Sequence, residues 1–85
     1  MNYIVGNYMM VLPEQLNVKY ELYEDEHFKG VKFISNVGIV NVSYNKQVDW
    51  ARILINNFDG SNGDVPFSER TFHFLPKEVM VEKVK

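Results

Sequence analysis

The chain has 85 residues, a formal charge of −2 and a 46% share of hydrophobic residues. A chain of this size buries only ~60% of the surface its unfolded form exposes, so one compact domain over residues 1–85 is expected. The absence of cysteine excludes disulfides, thiolate metal sites and a cysteine nucleophile, and the acidic balance argues against broad electrostatic binding of nucleic acid.

Residues 3–12 form an apolar run that Asn7 interrupts. The run has no basic leader and no small-residue cleavage site after it, so a secretory signal is not expected. No stretch of ~18 apolar residues exists, which predicts no membrane partner. Without cysteine, a cytoplasmic location is the expectation. Pro13-Glu14-Gln15-Leu16 has the form of a single helical turn with Pro at its first position.

Period-two alternation then takes over. Val18, Tyr20 and Leu22 alternate with Lys19, Glu21 and Tyr23, which predicts a strand. After the charged turn Glu24-Asp25-Glu26, Val31 to Ile34 reads as a second, short strand. Asn36-Val37-Gly38 reads as a bend, and Ile39 to Tyr44 as a third strand with Val40, Val42 and Tyr44 on one face. Asn45-Lys46-Gln47 is a polar break. Trp50 to Ile55 is the strongest strand signal, with Ala51, Ile53 and Ile55 opposite Trp50, Arg52 and Leu54. Both of its faces are largely apolar, which predicts a central strand.

Residues 56–64 hold an Asp-Gly and an Asn-Gly and read as a long hairpin tip, and the loop from Asn56 to Glu69 is expected to project, with Phe67 anchoring its return to the core. Arg70 to Phe74 reads as a strand with His73 toward solvent. Leu75-Pro76-Lys77-Glu78 reads as a 3₁₀ turn and Val79 to Val84 as the last strand. About five short strands separated by turns predict an all-β fold, and closure into a small barrel would remove exposed edges.

Asp49-Trp50-Ala51-Arg52, the glycine-bearing hairpin and Phe74-Leu75-Pro76-Lys77-Glu78-Val79-Met80-Val81 together resemble a Src-homology-3-like barrel. Leu22-Tyr23-Glu24-Asp25 is similar to that family's opening motif, and Phe28-Lys29-Gly30 to the end of its first long loop. The resemblance implies a five-stranded barrel with a groove lined by Tyr23, Trp50 and Pro76. Asp25 stands where the family carries a second tyrosine, and Val79 where it carries a groove tyrosine. The resemblance therefore implies the barrel more than it implies binding of proline-rich peptides. Tyr23-x-x-x-x-Phe28-x-Gly30 also resembles the aromatic corner of βγ-crystallin domains, without their calcium motif.

No cofactor, metal or enzymatic chemistry is expected. Asp59 to Asp64 lacks the spacing of a calcium loop. Ser68, His73 and Asp64 lack a nucleophile elbow. Twelve aromatic residues, five Tyr, six Phe and one Trp, exceed what a small barrel buries. Exposed aromatics supply contact area at low entropic cost. The expected function is a non-enzymatic protein-binding module, an accessory protein of a phage or prophage acting on a host protein. Its expected contact residues are Tyr23, Glu24, Asp25, Glu26, Phe28, Trp50 and Pro76. The alternative is a small nucleic-acid-binding barrel that uses Lys29, Lys32, Lys46 and Arg52 as a basic strip beside stacking aromatics.

Overall fold

A computed structural model describes residues 1–84. It is all-β apart from one 3₁₀ turn, with eight strands. These are β1 (Asn2–Val5), β2 (Tyr8–Val11), β3 (Lys19–Glu24), β4 (Phe28–Ile34), β5 (Gly38–Asn45), β6 (Trp50–Asn57), β7 (Asn62–Pro66) and β8 (Met80–Lys83). They form two antiparallel sheets, a three-stranded one in the order β1-β2-β8 and a five-stranded meander β3-β4-β5-β6-β7. The closed five-stranded barrel expected from sequence is thus corrected to two sheets, neither of which closes on itself. The chain leaves the small sheet after β2, builds the meander, and returns to lay β8 against β2.

Period-two patterning explains the large sheet. Val31 and Phe33 on β4, Val40 and Val42 on β5, and Ile53 and Ile55 on β6 share one face. That face packs on Val5, Met10 and Leu12 from the small sheet, and Phe67, Leu75 and Val79 from the returning chain complete the core. Phe67 is buried as expected, and it meets Tyr8 edge-on at 5.1 Å while Tyr8 meets Phe72 at 5.3 Å. As predicted, β6 is an interior strand.

The amino-terminal apolar run is a hairpin. Gly6 takes a φ of 61°, the positive value that the first position of a primed two-residue turn needs. No helical turn forms at Pro13–Leu16; that stretch is irregular chain crossing between the sheets. Residues 56–69 are not one long projecting loop. Asn62 to Pro66 pair with Arg52 to Asn56, leaving only Phe58 to Ser61 as the tip.

Arg70 to Phe74 is not a strand. Thr71 Oγ accepts a hydrogen bond from the Ser68 N–H at 3.0 Å and donates to the Pro66 carbonyl at 2.6 Å, which curls the chain into a 3₁₀ turn over Phe72–Phe74. His73 is exposed as expected. The 3₁₀ turn thus precedes Pro76, and Pro76 to Val79 is a single turn closed by the Val79 N–H on the Pro76 carbonyl at 3.0 Å.

Candidate functional site

Two of the exposed aromatics, Phe28 and Trp50, meet where the β3–β4 and β5–β6 turns lie side by side. Phe28 opposes Asn45, and Asn45 opposes Trp50. Residues opposed across a ladder point to the same face, so Phe28 and Trp50 straddle β5 on the outer face, ~10 Å apart at two strand spacings. The turn between β5 and β6 brings Val48 beside them. The three side chains are 39%, 52% and 67% exposed for Phe28, Trp50 and Val48. They border a depression of about 180 Å³ whose polar lining is Ser43, Asn45 and Arg52. On its other side Trp50 lines a cleft of about 380 Å³ between the sheets, where Tyr8, Tyr44 and Phe67 also lie.

The turns that carry this patch are held by their own polar groups. One Asp25 carboxylate oxygen accepts the N–H groups of His27 and Phe28, each at 2.8 Å, so the acidic residue shapes the turn that presents Phe28. Those two bonds hold the Asp25 carboxyl below its ordinary range. Glu24 pairs with the Lys46 ammonium at 2.7 Å, which lowers its pKa too, and Lys46 also donates to the Asp25 carbonyl. Glu26 stays exposed at the tip. In the next turn Asp49 adopts φ 52°, in the left-handed region, immediately before Trp50. Its carboxylate accepts the Tyr44 hydroxyl at 2.7 Å, and that bond raises the Tyr44 pKa.

Tyr23 sits one row inward from the patch. Its ring covers Gly30 in the facing register, and its hydroxyl donates to Asn41 Oδ1 at 2.7 Å. A side chain at position 30 would collide with that ring. Tyr23 is therefore half-buried, with its hydroxyl engaged inside the sheet. Pro76 lies far from the patch, beside Val18, Phe33 and Val40 at the opposite end of the meander. The sequence-predicted groove of Tyr23, Trp50 and Pro76 does not assemble, whereas Glu24 to Phe28 and Trp50 do come together. Val48 was missed, although a lone valine in the polar stretch 45–49 was its signal.

The predicted basic strip is dispersed. Lys29 and Lys32 fall on opposite faces of β4, over the Tyr3 and Tyr23 rings. Lys46 is engaged by Glu24, and Arg52 by Asp64 at 3.2 Å. Among the described residues no group of three or more His, Cys, Asp or Glu could hold a metal ion, and no helix is long and apolar enough to cross a membrane.

No known protein family matches the chain, and no curated protein or solved structure matches it significantly. The resemblances to Src-homology-3-like and βγ-crystallin domains stand on the quoted residues alone.

Proposed function

We propose that this protein is a non-enzymatic protein-binding module whose contact surface is the Phe28–Val48–Trp50 patch. One observation carries the reading: three large apolar side chains are exposed together around a shallow depression, within a rim of charged and amide groups. That is the anatomy of a binding surface, with aromatic anchors inside a polar rim. Phe and Trp each bring a large contact area while losing only two side-chain torsions. The nucleic-acid reading has less support, because Lys46 and Arg52, the cations nearest the patch, are already paired with Glu24 and Asp64.

The test compares proteins captured from lysate of the source cells by three immobilised forms of the protein. These are the unmodified chain, the double variant Phe28→Ala/Trp50→Ala, and Phe58→Ala. Phe58 is 63% exposed at the other end of the meander and serves as the control. Proteins retained by the unmodified chain and by Phe58→Ala should be lost from the double variant. Identical retention by all three forms would remove the patch from the proposal.

A further inference from the structure

We propose that β1 is a docking edge for a second copy of this chain, joining two small sheets into one six-stranded sheet about a two-fold axis.

The argument starts from hydrogen-bond parity. The Met1 amino group donates to the Leu12 carbonyl at 2.9 Å, and the Leu12 N–H donates to the Met1 carbonyl at 2.7 Å. Opposed residues in an antiparallel ladder alternate between bonded and non-bonded pairs. With Met1 and Leu12 bonded, the next bonded pairs in the register are Tyr3 with Met10 and Val5 with Tyr8. The N–H and C=O groups of Asn2 and Ile4 therefore point away from β2. β1 is the end strand of its sheet, and no loop or side-chain group among the described residues bonds to them.

The four edge strands are unequal. β3 carries Lys19, Glu21 and Glu24, β7 carries Asp64 and Pro66, and β8 carries Glu82 and Lys83. Charges and proline are the devices that keep an edge from pairing. β1 reads Asn-Tyr-Ile-Val and has neither.

The occupant follows from symmetry. In antiparallel pairing centred on Tyr3, Asn2 of one copy faces Ile4 of the other, and Ile4 faces Asn2. Both are bonded pairs, so the four groups left open on each copy satisfy the four on the other. A strand that meets all its open groups with its own sequence, and carries no charge to repel itself, is self-complementary. The outer face adds apolar area at the join, since Ile4 is 48% exposed and stands in register beside Met9. This surface is separate from the Phe28–Val48–Trp50 patch, so either proposal can fail without the other.

Two measurements test it. Sedimentation over a concentration series should show the mass rising from one chain toward two. Amide exchange should slow at least tenfold at Ile4 with rising concentration, while Tyr3 and Val5, already bonded to β2, should not change. Ile4→Pro removes an N–H that no intramolecular bond uses and should abolish the association. Asn2→Lys/Ile4→Lys sets like charges opposite each other and should also abolish it, whereas Asn2→Lys/Ile4→Glu should keep it. A mass and an Ile4 exchange rate independent of concentration would overturn the proposal. So would association that survives Asn2→Lys/Ile4→Lys, because the copies would then meet elsewhere.

Discussion

Gly30→Ala is the sharpest probe of the large sheet. An added Cβ at position 30 would fall on the Val42 carbonyl oxygen and the Tyr23 hydroxyl, and 2.6 Å from Tyr23 Cζ. The carbonyl belongs to the neighbouring strand and can yield only by bending β4 away from β5, an overpacking cost of ~1–3 kcal/mol. The Tyr23 ring can swing aside, but its hydroxyl then gives up Asn41 Oδ1, a loss of ~1 kcal/mol. The expected destabilisation is about 2–4 kcal/mol, against about 4–13 kcal/mol for the whole of an 85-residue fold. At ~4–8 °C per kcal/mol, the melting midpoint should drop by roughly 10–30 °C. Thermal unfolding followed by circular dichroism measures it. In a Tyr23→Ala background the same substitution should cost less, because the ring is gone and only the carbonyl contact remains. A Gly30→Ala protein that melts within 2 °C of the unmodified one, an arbitrary margin of about 0.5 kcal/mol or less, would refute the close approach of Tyr23 and β5 to Gly30.

Ile53→Ala and Trp50→Ala lie on one strand and should separate cleanly in denaturant unfolding. Ile53 is fully buried and should cost ~2–5 kcal/mol, whereas Trp50, 52% exposed, should cost well below the ~3–5 kcal/mol of a core aromatic truncation. Acid should destabilise the protein through Glu24, Asp25 and Asp59, whose pKa values are lowered in the folded state by Lys46, by the Phe28 and His27 N–H groups, and by Ser61 respectively. A depressed folded pKa means that the stabilisation is present above the unfolded value near ~4 and is lost as pH falls through the folded value. Melting midpoints measured from pH 6 downward should therefore decline below about pH 4. The Glu24 share should shrink in 1 M salt, since its partner is an exposed ammonium, while the Asp25 share should persist, since its partners are backbone N–H groups.

Strands β3, β4 and β5 were legible because each shows one apolar and one more polar face, and β6 because its apolar run lies between two turns, whereas the glycine and asparagine of β7 read as a turn. Lys19, Glu21 and Lys32 point outward while Tyr20, Val31 and Phe33 point inward, and period two follows directly. The amino-terminal hairpin was hidden because that contrast is absent. Tyr3, Val5 and Met10 face the core, yet Ile4, Met9 and Val11 on the other face are apolar as well, so the segment read as an undivided run. Phe72-His73-Phe74 misled in the opposite way. Three residues alternate whether the chain repeats every two or every three, and the hydroxyl of Thr71 decided between them. The candidate site was half legible. Trp50 and Phe28 announced themselves as surplus aromatics, but their meeting depends on the pairing of both with Asn45, which no local pattern encodes. Pro76 failed for the same reason in reverse, because the folded path of residues 67–79 carries it to the far end.

The pairing of β2 with β8 has a consequence for how the protein is made. Tyr8 to Val11 find their partners in Met80 to Lys83, across the whole length of the meander. A ribosome delivers β3 to β7 in an order that lets each strand zip onto the one before it, with short loops to close. The first hairpin has no such neighbour. Until β8 emerges, Met10 and Leu12 have half a sheet around them and no third strand to hold them against the core. Contacts this far apart along the chain close slowly, so the third strand of the small sheet is its slowest element to add. A change that loosens β8 therefore uncovers the core that Val5, Met10 and Leu12 share with the meander, and uncovered apolar surface is what aggregates.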